Sequence, residues 1–141
     1  MKLRITKRRT KKIAEFNNRE WEHADIEHYG APQDFSESDL RIAAYKKDEI
    51  VGSLALRIKG GVCEIKTLIV GRLYRGTGIG GALMFEAERV AQEYQVHKLW
   101  LITGKGWEAE KFYKKLGYRQ NTVLPKHFAE KDFVLYEKLL K

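Results

Sequence analysis

Apolar side chains along this chain switch between two periods. Residues 40–45, 50–58 and 62–70 run as short alternating or continuous apolar blocks rich in β-branched residues, the pattern of strands. The polar turn Lys46-Lys47-Asp48-Glu49 joins the first two and Lys59-Gly60-Gly61 joins the second to the third, which predicts an antiparallel meander. At 79–94 the period lengthens to that of a helix, with Ile79, Leu83, Ala87, Val90, Ala91 and Tyr94 on one face. Glu86, Glu88, Arg89 and Glu93 fall elsewhere and are expected in solvent. Residues 99–103 form a buried-strand block. A second amphipathic helix follows at 107–116, with Ala109, Phe112, Tyr113 and Leu116 inward and Gly117 as its stop. Residues 118–123 and 133–139 are the last strands.

The front of the chain is less periodic. Residues 3–6 suit a short strand, and Thr10 is placed to cap a helix running to about Trp21, with Ile13 and Phe16 on its faces. Residues 23–38 are irregular or hold a second short helix, broken at Pro32. No repeat, low-complexity tract or linker interrupts the 141 residues, so one domain over 1–141 is expected. A meander followed by a β-α-β crossover implies an α/β (α+β) fold: a mixed, mostly antiparallel sheet of six or seven strands with helices on both faces.

The junction between the third strand and its helix is the most specific stretch. Leu68-Ile69-Val70 stops, Arg75-Gly76-Thr77-Gly78-Ile79-Gly80-Gly81 follows, and the helix begins at once. The first turn of a helix leaves backbone N–H groups unpaired at the positive end of its dipole. Glycines let a phosphate approach that backbone, and an arginine at the rim adds a charged fork. The junction is an anion cradle.

Composition narrows the setting. The formal charge of +8 suits a polyanionic ligand, a nucleotide cofactor or a nucleic acid. Residues 1–12 hold seven basic side chains and no acid, whereas residues 13–39 hold eight acids and one base, Arg19. No apolar run reaches the ~18 residues of a membrane span, and no signal-peptide core follows the basic start, so a cytoplasmic protein without a membrane partner is expected. The lone Cys63 fits a reducing compartment and reads as a small core residue. No metal-ligand cluster stands out.

The cradle also carries a family resemblance. Arg75-Gly76-Thr77-Gly78-Ile79-Gly80 resembles the acetyl-CoA signature Q/R-x-x-G-x-G/A of the GCN5-related N-acetyltransferase (GNAT) superfamily, and Leu68-Ile69-Val70 its L-x-V strand. Ala109-Glu110-Lys111-Phe112-Tyr113-Lys114-Lys115-Leu116-Gly117-Tyr118 resembles the family's second motif, A-x-x-F-Y-x-x-x-G-F/Y. The resemblance implies the acyl-CoA N-acyltransferase fold, acetyl-CoA as acetyl donor, and transfer to a primary amine. It implies that the amides of Gly76, Thr77, Gly78, Ile79, Gly80 and Gly81 hold the pyrophosphate beside Arg75. Leu68 and Val70 would bond the pantetheine arm through their main chain, and Tyr113 would protonate the departing thiolate. Glu64 matches the strand glutamate that serves as general base in the histone acetyltransferase branch. Two positions depart from the pattern: Arg72 replaces a common proline and is free to reach a phosphate, and Gly106 replaces a common asparagine, where a backbone amide would have to substitute.

Such chemistry needs a base, because an alkyl ammonium has a pKa near ~10.4 and only the neutral amine attacks. It also needs a donor for the developing oxyanion, for which a backbone N–H near Ile69–Val70 is placed. His28 and His127 are spare base candidates, and Trp107 anchors its helix or stacks on a ligand ring. Glu20, Glu22, Asp25 and Glu27 would concentrate a cationic acceptor, or else neutralise the basic front. Among other readings, Gly76–Gly81 satisfies the dinucleotide pattern G-x-G-x-x-G, but it follows a meander and the next strand ends without an acid for the ribose. A non-catalytic CoA binder and a basic nucleic-acid binder stay open as alternatives, though 19 acids and the lack of a binding motif disfavour nucleic acid. The strand at 133–139 either completes the sheet or pairs with a second subunit in a homodimer.

Overall fold

The computed structural model describes residues 2–140, divided into two compact units with their boundary between Phe35 and Ser36. In the first unit, helix α1 spans Lys11–Tyr29. The Thr10 hydroxyl accepts from the Ile13 N–H at 3.3 Å, the expected cap. The helix does not stop near Trp21. Nothing from Glu22 to Tyr29 breaks it, and it closes only at Gly30, whose φ of 81° lets its N–H return to the Ile26 carbonyl at 2.9 Å. The strand expected at 3–6 is absent; that stretch has no regular structure, since a strand requires a partner edge for its ladder.

The second unit holds β1 (Ser38–Lys46), β2 (Glu49–Lys59), β3 (Val62–Val70), α2 (Ile79–Glu93), β4 (Lys98–Gly104), α3 (Glu108–Lys115), β5 (Arg119–Leu124) and β6 (Phe133–Leu139). The strands form one sheet in the order β1-β2-β3-β4-β6-β5, antiparallel except for β3 with β4. This is the mixed, mostly antiparallel architecture that the periodicity predicts.

Alternation along the strands sorts the two faces. Leu54, Leu56, Cys63, Ile65, Leu99, Leu101, Val134 and Tyr136 join Leu83, Met84, Ala87 and Ala91 of α2 and Tyr113 of α3 in one core. Each fully buried leucine there contributes about 1.5–3 kcal/mol. A Cβ on Gly52 would stand 3.0 Å from both Ile79 and Leu83, so this glycine lets the first turns of α2 settle directly on β2. Met84 enters the core although it lies off the apolar face that the periodicity marks, and Tyr94 stays 46% exposed. Glu88 is not simply solvated: it accepts from the Tyr118 hydroxyl at 3.0 Å and from Lys138 Nζ at 2.9 Å.

One irregularity decides what the sheet can do. β3 and β4 pair only at Val62↔Lys98, Cys63↔Leu99 and Glu64↔Trp100. Beyond that point β3 follows β2 up to Val70↔Gly52, while β4 follows β6 up to Gly104↔Phe133. The β2–β3 register also slips between Ala55 and Leu56, which leaves Lys66 as an extra residue on β3. The sheet therefore opens into a wedge between its two halves.

Candidate active site

The wedge and the start of α2 form one groove of about 770 Å³. Leu68 and Val70 of β3 line one wall; Trp107, Phe112 and Tyr113 line the other; Arg75, Gly78, Gly80 and Gly81 close the end. The Gly71 N–H donates to the Val51 carbonyl at 2.8 Å, so Gly71 turns its main chain towards β2. By alternation Leu68 and Val70 turn theirs the other way, into the wedge, where β4 no longer pairs with them. Ile69 turns its main chain to β2, and its side chain is 63% exposed outside the groove.

The cradle is formed by backbone. Gly76 and Gly78 take φ of 77° and 90°, and the space above their Cα atoms and above Gly81 is open. The N-cap of α2 is Gly78, and no side chain caps the helix, so its first-turn N–H groups face the groove. The exposed Thr77 donates its hydroxyl to the Tyr74 carbonyl. Arg75 carries no ion pair among the described residues and lines both the groove and a neighbouring depression that also holds Arg72. Gly80 serves packing instead. A Cβ there would meet the Phe112 ring at 3.2 Å, so its absence lets α2 and α3 approach. These features fit a pyrophosphate-bearing ligand, since uncapped amides, an unpaired guanidinium and open space coincide.

Tyr74 carries no signal in the sequence. Its hydroxyl donates to Glu49 at 2.9 Å and its ring lies 5.5 Å from Lys46 Nζ, which pins the glycine turn to the β1–β2 hairpin. That contact spans 25 residues, and no local pattern announces it.

Tyr113 stands where the groove meets the wedge, and burial pushes its phenol up to about 12. The three buried tyrosines differ in one respect. Tyr118 donates to Glu88 and Tyr136 to Glu110, whereas the Tyr113 hydroxyl bonds to no other described group and opens onto the groove. Phe112 packs edge-on against it at 5.0 Å.

Glu64 sits at the last paired rung of β3 and β4, half-buried and outside the groove lining. Its neighbours Cys63 and Ile65 point into the core, so Glu64 points to the opposite face. The pairing with Lys59 or Lys66 that would make it a plain surface residue does not occur: Lys59 lies 3.5 Å from Glu37 and Lys66 lies 3.8 Å from Asp39. Arg57, its cross-strand partner, is held by Asp39 at 3.0 Å. Cys63 is the expected core residue, with no exposed surface and its thiol pushed up to about 12 by burial.

Gly106 takes φ 83°, but its N–H is not free to replace an asparagine side chain, because it donates to the Glu110 carboxylate. Glu110 thus ties the loop before α3 to its first turn. The Tyr136 hydroxyl, at 2.6 Å, and this N–H hold its carboxyl below the usual carboxylate range. Trp107 is an anchor: its ring covers Gly104, where a Cβ would fall 2.1 Å from Cε2, and it meets Phe133 at 5.6 Å. It also lines the groove. His28 is bonded to the Ala24 carbonyl inside α1, and His127 is packed on Phe128 at 4.4 Å. Glu20, Glu22, Asp25 and Glu27 all lie on α1, in the first unit.

A family model described as "Acetyltransferase (GNAT) family" matches residues 10–118. The chain belongs to the GNAT acetyltransferase family. Among solved structures, an acetyltransferase from Bacillus cereus superposes with a TM-score of 0.74 at 21% identity, covering 97% of this chain and 98% of that one. A GNAT family acetyltransferase from Elizabethkingia anophelis with acetyl-CoA bound gives 0.68 at 24% identity, over 73% of this chain and 77% of that one. An aminoglycoside 6'-N-acetyltransferase complexed with coenzyme A gives 0.66 at 22% identity, over 72% of each chain. At these identities the likeness is one of fold. No curated protein matches the sequence. Among the described residues, no helix of this GNAT protein is long and apolar enough to cross a membrane, and no group of His, Cys, Asp and Glu is placed to hold a metal ion.

Proposed function

We propose that this GNAT protein transfers the acetyl group of acetyl-CoA to a primary amine by direct attack, within one catalytic domain over 1–141. The observation that carries the reading is the coincidence of the β3–β4 wedge with an uncapped helix start at the end of the same strand. The amides of Gly76, Thr77, Gly78, Ile79, Gly80 and Gly81, with Arg75, hold the pyrophosphate, and Arg72 extends the cationic rim. Leu68 and Val70 bond the pantetheine arm as an added strand, with Ile69 between them keeping the ladder to β2. Acetyl-CoA supplies the activated thioester.

In the transfer, the neutral amine nitrogen forms a bond to the carbonyl carbon, the C–S bond breaks, and sulfur takes the electron pair. Glu64, on the face opposite the groove, takes the proton that the attacking nitrogen sheds as it becomes the amide, directly or through water, so donor and acceptor meet through the wedge from opposite faces. A wedge-facing backbone N–H of this strand polarises the carbonyl. Tyr113 donates a hydrogen bond to the departing sulfur. With its phenol pushed up to about 12, giving its proton outright to a thiolate with a pKa near ~8.5 is uphill by several kcal/mol, so the proton stays on Tyr113 while the bond stabilises the charge. The buried free Cys63 suits a cytoplasmic setting.

Thermal unfolding with acetyl-CoA, CoA and NADH, followed by amine-dependent thiol release, tests this. Acetyl-CoA at 100 times its Kd stabilises by about 2.7 kcal/mol, and Glu64→Gln lowers kcat by about 10²–10⁴-fold. A fold that no CoA species stabilises, while NADH or DNA does, would sink the acetyltransferase reading.

A further inference from the structure

The loop between β5 and β6 is strained and tightly tied. Lys126, Ala129 and Glu130 take φ of 47°, 52° and 59°, which residues other than glycine rarely adopt. Main-chain bonds hold the loop in place. The Lys126 N–H donates to the Asp132 carboxylate at 3.0 Å, His127 to the Lys131 carbonyl at 2.8 Å, and Lys105 to the Asp132 carbonyl at 3.0 Å. What they hold is a ring cluster. Phe128 meets Phe133 at 5.3 Å and Trp107 meets the same ring at 5.6 Å, both edge-on. Such clusters are ordinarily closed to solvent, yet Phe128 is 61% and Trp107 56% exposed. Strain that fixes exposed aromatic rings in place is a mark of a binding surface.

The cluster is continuous with the transfer site. A second cavity of about 240 Å³ fills the wedge, and Trp107 and Phe133 line it together with Leu68, Thr103 and Tyr113. By alternation Phe133 lies on the sheet face that carries Glu64, because Gly104 and Trp100 share that face of β4. Charge beside the rings is balanced: Lys105 and Lys131 stand with Glu130 and Asp132, and Asp132 is already engaged by the loop. No surplus of acid is present there to collect a polycation.

We infer that Trp107, Phe128 and Phe133 form the acceptor subsite, and that the acceptor is a primary amine on a short arm from an aromatic or branched apolar body. The inference rests on the acetyltransferase reading and names its substrate class. The body covers the exposed rings, and the arm carries the amine into the wedge from the face of Glu64. The transfer chemistry is unchanged.

The test is acetyl transfer by the full chain under saturating acetyl-CoA, with 2-phenylethylamine, ethylamine, spermidine and a lysine peptide as acceptors. Covering an aromatic body predicts kcat/KM for 2-phenylethylamine about 30-fold above ethylamine, and above spermidine and the peptide. In Phe128→Ala the ratio between 2-phenylethylamine and ethylamine falls about tenfold, through KM. A preference for spermidine or the peptide, or a ratio that Phe128→Ala does not move, overturns the acceptor class while acetyl-CoA-dependent thiol release keeps the acetyltransferase reading. If acetyl-CoA neither stabilises the protein nor reacts with any amine, both fall together.

Discussion

Gly81→Glu separates the fold of the cradle from its function. Gly81 is the third residue of α2 and does not take a positive φ, and a Cβ built on it meets nothing within 4 Å. The first turn of α2 holds no acid and no side-chain cap. A glutamate there replaces the poorest non-proline helix former, worth about 0.5 kcal/mol, and places a carboxylate against the positive end of the dipole, worth about 0.3–1 kcal/mol. The ligand-free protein should gain about 1 kcal/mol, which raises Tm by about 3–5 °C. For a bound pyrophosphate the same carboxylate is a like charge. At about 5 Å, and with the effective dielectric of ~20 that suits a partly exposed site, one such pair costs about 3 kcal/mol, more than a hundredfold in Kd. Thermal unfolding and calorimetric titration with acetyl-CoA read both effects, and Gly81→Gln controls for bulk. The expected result is a higher Tm without ligand and a lost ligand shift in Gly81→Glu, with Gln intermediate in affinity. Wild-type acetyl-CoA affinity in Gly81→Glu would refute the cradle assignment, and a lowered ligand-free Tm would refute the description of the helix start. Gly78 is the poorer site for this test, because at φ 90° any side chain strains the fold itself.

Two tyrosines should separate catalysis from stability. Tyr113→Phe removes a hydroxyl that bonds to nothing in the fold, so losing its hydrogen bond to the departing thiolate lowers kcat by about 10- to 100-fold while urea unfolding is nearly unchanged. Tyr136→Phe removes a donor to the Glu110 carboxylate at 2.6 Å and costs about 1.5–3 kcal/mol of stability; equal stability losses in the two variants would contradict the difference in bonding. Burial pushes Cys63, Tyr113 and Tyr136 each up to about 12, above their unfolded values, so the stability they carry is whole below those values and is lost as pH rises towards 12. Urea midpoints should hold from pH 7 to about 8.5 and then fall, with phenolate absorbance of the buried tyrosines appearing only on unfolding. A phenolate signal from all seven tyrosines in the folded protein at pH 10 would refute the burial-based account.

How much of this is legible in the sequence depends on whether the cause is local. The meander, the crossover helix and the Tyr113 helix follow from periodicity, which is a property of a few neighbouring residues. The end of α1 escapes the pattern because Glu22–Tyr29 carries no stop, and a helix without a stop runs on to the first residue able to take a left-handed turn, Gly30. The strand at 3–6 fails for the opposite reason: its propensity is local, but a strand exists only against a partner. Glu88 reads as a solvated residue because its partners, Tyr118 and Lys138, lie 30 and 50 residues away.

For the site, the sequence alone determined the candidate groups one at a time: a glycine turn that leaves amides free at a helix start, an arginine beside it, a tyrosine within a second apolar helix pattern and a glutamate on the third strand. Backbone conformation and residue type are encoded where they occur. Tertiary structure decided how they relate. It parted β3 from β4 after Glu64, turned Leu68 and Val70 into the gap, left the Tyr113 hydroxyl unbonded while engaging those of Tyr118 and Tyr136, and tied up the Gly106 N–H on Glu110. It also brought Trp107, Phe128 and Phe133 together beside the wedge. Those facts depend on sheet register and on contacts between distant residues, which no window of neighbours along the chain contains.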